Sequence, residues 1–212
     1  MDVIDSLDRV RAEHDVLAHP FYKRWSAGDL SLEELGAYAG QYRHAVTALA
    51  DASQLAAEAA PAGVRPGLER HAEEERAHVA LWDGFAAACG GSPDAPASEE
   101  TAGCAERWTD GADLLERLAV LYAIEASQPE ISRTKLEGLR EHYAFVAEGP
   151  ATEYFTVHEH LDVEHADAAA ELIRRLMAAQ PDPEAKAAAM AARAERALRG
   201  NWDLLSGVEA AA

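Results

Sequence analysis

The sequence predicts an all-α protein, a single bundle of about seven helices with short connections. Three observations carry this. Alanine, leucine, glutamate and arginine dominate while β-branched residues are sparse. No alternating apolar–polar run of five or more residues appears, so no strand is expected. Apolar residues instead recur at three- and four-residue intervals between cap and stop signals.

In order, a first helix is expected to about His14 and a short second one over roughly Leu17 to Ser26. Ser31 with Glu34 three residues later forms a capping box, opening a third helix from about Leu32 to Ala59 that Pro61 stops. A fourth spans roughly Val64 to Cys89 and ends in Gly90-Gly91. The stretch from Ser92 to Ser98, with two prolines, is a loop, and a minor helix follows near Glu99 to Trp108. Asp110 to Ala112 caps a fifth main helix from about Asp113 to His142, disturbed around Pro129. Gly149-Pro150 opens the sixth, to about Ala179. After Pro181-Asp182-Pro183 a last helix of roughly Glu184 to Leu198 is expected to stop at Gly200, with a final turn near Trp202 to Leu205. Neither an internal repeat nor an interdomain linker is visible, so residues 1–212 are read as one domain.

The 212 residues are enough for one substantial core. A formal charge of −19 argues against nucleic acid or an anionic membrane as partner, because both demand a basic surface. No basic segment followed by an apolar one opens the chain, and no apolar run approaches membrane-spanning length, so a cytoplasmic protein is expected. Cys89 and Cys104 show no Cys-x-x-Cys spacing and are expected as free thiols.

The most informative stretch is His158-Glu159-His160-Leu161-Asp162-Val163-Glu164-His165. Residues 158, 162 and 165 are spaced i, i+4 and i+7, so two imidazoles and a carboxylate share one side of a helix. That side is the apolar one, continued by Tyr154 and Phe155 before it and Leu172, Ile173 and Leu176 after it. Ionisable groups cost several kcal/mol to bury unless something pairs with them, and a metal ion is such a partner. His158 and His165 are separated by about 10.5 Å of helix rise, too far for one ion to bond both at about 2.1 Å. Two metals, or a distorted helix, follow.

The fourth helix carries an inward seam of Val64, Leu68, His71, Glu75, His78 and Trp82. Glu75 and His78 form Glu-x-x-His, the spacing by which carboxylate-bridged diiron bundles present two ligands to one ion. Glu74 shares nearly the same face and is an alternative. On the fifth helix Glu125 interrupts a hydrophobic run from Leu118 to Ala126, where a lone carboxylate would have to be neutralised or paired. Glu75, His78, Glu125, His158, Asp162 and His165 thus offer three imidazoles and three carboxylates. Such a set suits iron or manganese; no thiolate favours zinc or copper.

Four blocks carry a resemblance: His19-Pro20-Phe21-Tyr22-Lys23-Arg24-Trp25, Tyr38-Ala39-Gly40-Gln41-Tyr42, Tyr122-Ala123-Ile124-Glu125-Ala126-Ser127-Gln128-Pro129-Glu130-Ile131, and Tyr154-Phe155-x-x-His158-x-x-x-Asp162-x-x-His165. Over nearly its whole length the chain resembles the haem-oxygenase-like diiron oxidases of the TenA/PqqC structural superfamily, and among them the CADD-like branch that forms p-aminobenzoate for folate biosynthesis. The resemblance implies a haem-oxygenase-like fold, and it implies that His78, Glu125, His158, Asp162 and His165 ligate metal. The first glutamate ligand departs from the pattern, because two turns before His78 stands His71. Glu75 or Glu74 fills that role if the spacing is short; if neither does, His71 becomes a ligand. The resemblance also implies two irons, or one iron and one manganese, with dioxygen and an external reductant. In the p-aminobenzoate branch the protein consumes its own tyrosine and takes nitrogen from a lysine; the corresponding residues here are Tyr22, Tyr38 and Lys135. Lys135 reaches the interior only if the helix is irregular around Pro129.

The alternatives are a diiron oxidase acting on an external small amino acid or fatty acid, a metal-free thiamin-salvage hydrolase using a cysteine nucleophile, and a non-enzymatic interaction protein. A homodimer is expected as the assembly.

Overall fold

The structure is a computed structural model that describes residues 2–143 and 149–211. Among the described residues it has nine α-helices, one 3-10 turn and no strand: α1 Val3–Glu13, the turn Val16–Ala18, α2 Pro20–Ala27, α3 Leu32–Ala59, α4 Arg65–Ala88, α5 Glu99–Thr109, α6 Leu114–Glu125, α7 Gln128–His142, α8 Pro150–Met177 and α9 Pro183–Ala211. Both halves of the capping box form at the start of α3: the Glu34 amide donates to Ser31 Oγ and the Ser31 amide donates to Glu34 Oε2. α4 ends at Ala88, just before the expected glycine pair.

Three boundaries differ from expectation. The fifth main helix is two helices, α6 and α7, separated at Ala126 and Ser127. Pro129 lacks an N–H and its ring collides with the carbonyl four residues back, that of Glu125, so a continuous helix is excluded there. Arg11 of α1 satisfies the groups freed by the break, donating to the Ala126 carbonyl at 2.5 Å and to Ser127 Oγ at 3.1 Å. At the other end α9 runs unbroken through Gly200 to Ala211. A Cβ at Gly200 would lie 3.2 Å from the Cys104 Cα of α5. This glycine therefore permits close helix approach and is no terminator. The short second helix begins only at Pro20, with Val16–Ala18 as a separate 3-10 turn.

Helix α8 lies centrally, packed on α4, α6 and α7, while α3 packs on α4 and α5, and α9 covers α5 and α6. The core is one continuous apolar cluster, dense in aromatic rings where α2, α3, α4 and α8 meet: Trp25, Tyr38, Tyr42, Trp82, Phe85 and Phe155 are all buried. Among the described residues no helix is long and apolar enough to cross a membrane.

Candidate metal centre

Helices α4 and α8 pack face to face, α6 packs on α8, and its last residue, Glu125, reaches His71 of α4. Their inward polar residues meet in two groups that share one carboxylate. His71, Glu75, Glu125 and His165 form one, and Glu75, His78 and His158 form the other; within each group one donor atom per residue lies within 4.8 Å of all the others. The two ends of the Glu75 carboxylate face different neighbours. Oε1 lies 3.4 Å from His78 Nδ1, 3.7 Å from His165 Nδ1 and 3.8 Å from His71 Nε2, while Oε2 lies 4.0 Å from His158 Nε2. His158 and His165 thus belong to different groups, as their separation along the helix required. Asp162 is buried beside them, its Oδ1 3.6 Å from His165 Nδ1, but it falls outside both tight groups.

Buried polar atoms are nearly always hydrogen-bonded. Among the described residues, nine of the thirteen buried side-chain nitrogens and oxygens that lack a hydrogen bond belong to His71, Glu75, His78, Glu125, His158, Asp162 and His165. His71 Nε2 and Glu125 Oε1 come within 2.9 Å without the alignment of a hydrogen bond. That spacing matches neighbouring ligands on one ion, which at bonds of about 2.1 Å and right-angle geometry sit about 3.0 Å apart. Seven side chains turning unpartnered donor atoms to a common space, all nitrogen or oxygen, fit a site for first-row divalent metal.

Partners on the far side of two imidazoles fix which nitrogen faces inward. His158 Nδ1 lies 2.7 Å from the Tyr154 carbonyl, which can only accept, so Nδ1 carries a proton and Nε2 is the nitrogen that faces Glu75. The Tyr154 ring stacks on the same imidazole at 3.9 Å. His165 Nε2 donates to Glu74 Oε2 at 3.2 Å, leaving Nδ1 for the cluster. Glu74, a candidate first ligand from the sequence, stands behind His165 instead, with its side chain half exposed.

Burial opposes charge on His71, His158 and His165, but the carboxylates outweigh it. Glu125 and Glu75 hold His71 up at about 9. Glu75 and Asp162 hold His158 above the ordinary histidine value, and Asp162, Glu125 and Glu75 do so for His165. Burial would raise Glu75, yet His158 and His78 hold it below the ordinary carboxylate range; burial pushes Asp162 up. Without metal, protons on the imidazoles supply the positive charge that the carboxylates demand.

The second constellation from the sequence also assembles. Tyr22 of α2 and Tyr38 of α3 meet with hydroxyl oxygens 3.3 Å apart. The Lys135 Nζ sits among ring faces, 5.3 Å from the centroids of both Tyr22 and Tyr38, 4.8 Å from Tyr42, 5.1 Å from Phe155 and 5.5 Å from Trp82. The break at Ala126 and Ser127 is what lets α7 aim Lys135 inward. Gly138 then lets α7 close on α2: a Cβ there would fall 2.6 Å from Trp25 Cδ1, and Trp25 Nε1 donates to the Lys135 carbonyl at 3.2 Å. Burial pushes the Lys135 ammonium well below the ordinary lysine value and the Tyr22 and Tyr38 phenols well above 10.0, so the box favours the neutral amine and the neutral phenols. Tyr154 and Trp82, read from the sequence only as apolar positions, join the two constellations: their ring centroids are 4.9 Å apart, and Trp82 lies 5.8 Å from Tyr38.

A surface pocket of about 570 Å³, walled by Val64, Leu68, Leu118, Leu161 and Leu172, has His71 and His165 in its lining. Cys89 and Cys104 are buried free thiols, the first pushed up to about 12 by burial and the second higher, which disfavours a cysteine nucleophile.

Comparison with solved structures defines the fold. A TenA homologue from Pseudomonas syringae superposes with a TM-score of 0.83 at 18% identity, covering 98% of this chain and 91% of that one. A haem-oxygenase-like domain from Shewanella denitrificans gives 0.78 at 16% identity, covering 100% and 93%. The fold is haem-oxygenase-like. A family model described as "iron-containing redox enzyme" matches residues 37–199, and the chain belongs to that family and is an oxidoreductase. Relatives named 4-aminobenzoate synthase include one from Chlamydia trachomatis, 32% identical over 189 residues (84% of this chain, 81% of that protein). Another, from Nitrosomonas europaea, is 30% identical over 227 residues (95% and 89%).

Proposed function

We propose that this protein forms 4-aminobenzoate from one of its own tyrosines, with Lys135 as nitrogen donor, at a centre of two irons, or one iron and one manganese. Glu75, His78, Glu125, His158, Asp162 and His165 would hold the metals. When reduced, the pair would deliver electrons to dioxygen, with an external reductant restoring them, and so supply the oxidant. The observation that carries the reading is the buried Lys135 amine between two hydrogen-bonded tyrosines, joined by ring contacts to a cluster of unpartnered metal-binding atoms.

The chemistry suits these residues. A tyrosine side chain is a ring with a carbon para to a hydroxyl, and 4-aminobenzoate has a carboxyl carbon para to an amine. The conversion requires cleavage between Cα and Cβ with oxidation of Cβ to carboxyl at the expense of dioxygen, loss of the ring oxygen as water when the Lys135 nitrogen condenses on the oxidised ring, and cleavage of the Lys135 Cε–Nζ bond, with Cε left as an aldehyde. Phenols kept protonated by burial must lose a proton with each electron, and the hydroxyl–hydroxyl contact gives Tyr22 and Tyr38 a mutual proton route. The neutral Lys135 amine keeps its lone pair for attack on an oxidised ring. The aromatic walls exclude the water that would compete.

The test is to add ferrous iron, reductant and dioxygen to pure protein without substrate. We expect 4-aminobenzoate at up to about one per chain and mass loss mapped to Tyr22 or Tyr38. Lys135→Arg is expected to abolish product while iron still loads. Absence of product from iron-loaded protein, or product that appears only with an added small molecule, would transfer the reading to an external substrate, for which the pocket beside His71 and His165 offers an entry.

A further inference from the structure

We infer that His71 is itself a metal ligand, in addition to Glu75, and that with His165 it defines a solvent-side metal position that loads and loses its ion separately from a sealed inner one. This deepens the dinuclear reading above and rests on it.

Geometry assigns the ligand. His71 comes from the same face of α4 as Glu75 and His78, and its Nε2 is buried, unpartnered and 2.9 Å from Glu125 Oε1. Its ring centroid lies 4.3 Å from that of His165, so the two imidazoles flank one space together with Glu125 and Oε1 of Glu75. Adding a neutral imidazole brings that position to two nitrogens and two carboxylates without adding negative charge.

Accessibility distinguishes the two positions. The His71 and His165 side chains are 14% and 11% exposed, and both line the surface pocket. His158 is fully buried and the His78 side chain is 9% exposed, and neither lines that pocket. An ion between His71 and His165 faces the pocket and exchanges through it; one between His78 and His158 has no opening to that pocket and exchanges more slowly. The ligand class is a hexaaqua-type divalent ion such as Fe²⁺ or Mn²⁺, which must shed water on entry.

The test is metal stoichiometry and release to a ferrous chelator, using full-length protein loaded anaerobically. Wild type should hold about two irons and release them in a fast and a slow phase, with two distinct Mössbauer signals. His71→Ala should hold about half as much, lacking the fast phase and one signal. His71→Glu, which restores a ligand atom, should regain the second ion, and Arg70→Ala in the same pocket should behave as wild type. Should the alanine variant fail to fold, His71→Gln carries the same measurement. Two irons with both phases retained in a folded His71→Ala would remove His71 from the site. Loss of both ions, or single-phase release from wild type, would overturn the independence of the positions. Wild type that holds no iron would instead refute the dinuclear reading itself.

Discussion

The metal cluster and the lysine box, joined through Tyr154 and Trp82, bury ionisable groups in opposite ways. In the cluster, unpartnered donor atoms of seven side chains gather, and positive charge, from protons or a metal ion, must enter to satisfy the carboxylates. In the box, one amine is surrounded by ring faces with no carboxylate among the rings it contacts, and a proton must leave. The same desolvation thus prepares a metal site at one end and a nucleophile at the other. On the proposed function the two ends take separate jobs: oxidant at the cluster, nitrogen at the box.

The largest expected effect tests that separation. Glu75→Ala removes the carboxylate shared by both groups, so iron content measured by mass spectrometry should fall from about two per chain to near zero, and product with it. The box should keep its folded environment, read from tyrosine and tryptophan near-ultraviolet circular dichroism. Next, Lys135→Met should abolish product, leave iron unchanged, and raise stability at pH 7 by about 1–4 kcal/mol, as when a buried ionisable group gives way to an apolar one. The sign follows from linkage. Burial lowers Lys135 in the folded chain while the unfolded chain stays protonated below the ordinary 10.5, so wild type gains stability as pH rises toward 10.5. The advantage of the methionine variant in urea denaturation should therefore shrink between pH 7 and pH 10.

The cluster should respond to pH in its own way. Imidazoles held protonated by carboxylates, His71 at about 9, compete with metal for the same lone pairs, so ferrous affinity should rise with pH up to about 9 and loading should release protons. In metal-free protein the stability that His71 contributes is fully present below its unfolded value of 6.5 and lost as pH rises through about 9. Chelator competition at pH 6.5 and 8.5, and calorimetry in buffers of different ionisation enthalpy, measure the first effect. A smaller effect should come from Gly138→Ala: its methyl meets Trp25, costing about 1–3 kcal/mol by overpacking, and shifts Lys135 enough to slow product formation while iron loading stays intact.

What was legible follows helical spacing. His158, Asp162 and His165 lie along one helix, and Glu75 and His78 along another, so their shared faces were readable from a period of 3.6 residues. Glu125 was readable because a charge in an apolar run needs a partner. The role of Glu74 behind His165, and the presence of Glu75 and His71 together, depend on how α4 meets α6 and α8, which no single helix encodes. Pro129 announced an irregularity, but the sequence does not show that Arg11, more than a hundred residues away, caps the break. Gly200 misled for a similar reason, since a glycine needed for close approach to α5 reads the same as one that ends a helix.

The account stands most directly on the source of the product's nitrogen. Protein grown with lysine labelled at the side-chain nitrogen, loaded with iron and given reductant and dioxygen in unlabelled buffer, should yield 4-aminobenzoate carrying the label, with Lys135 altered in the spent chain. Unlabelled product, or labelled product from the Lys135→Arg variant, would contradict it.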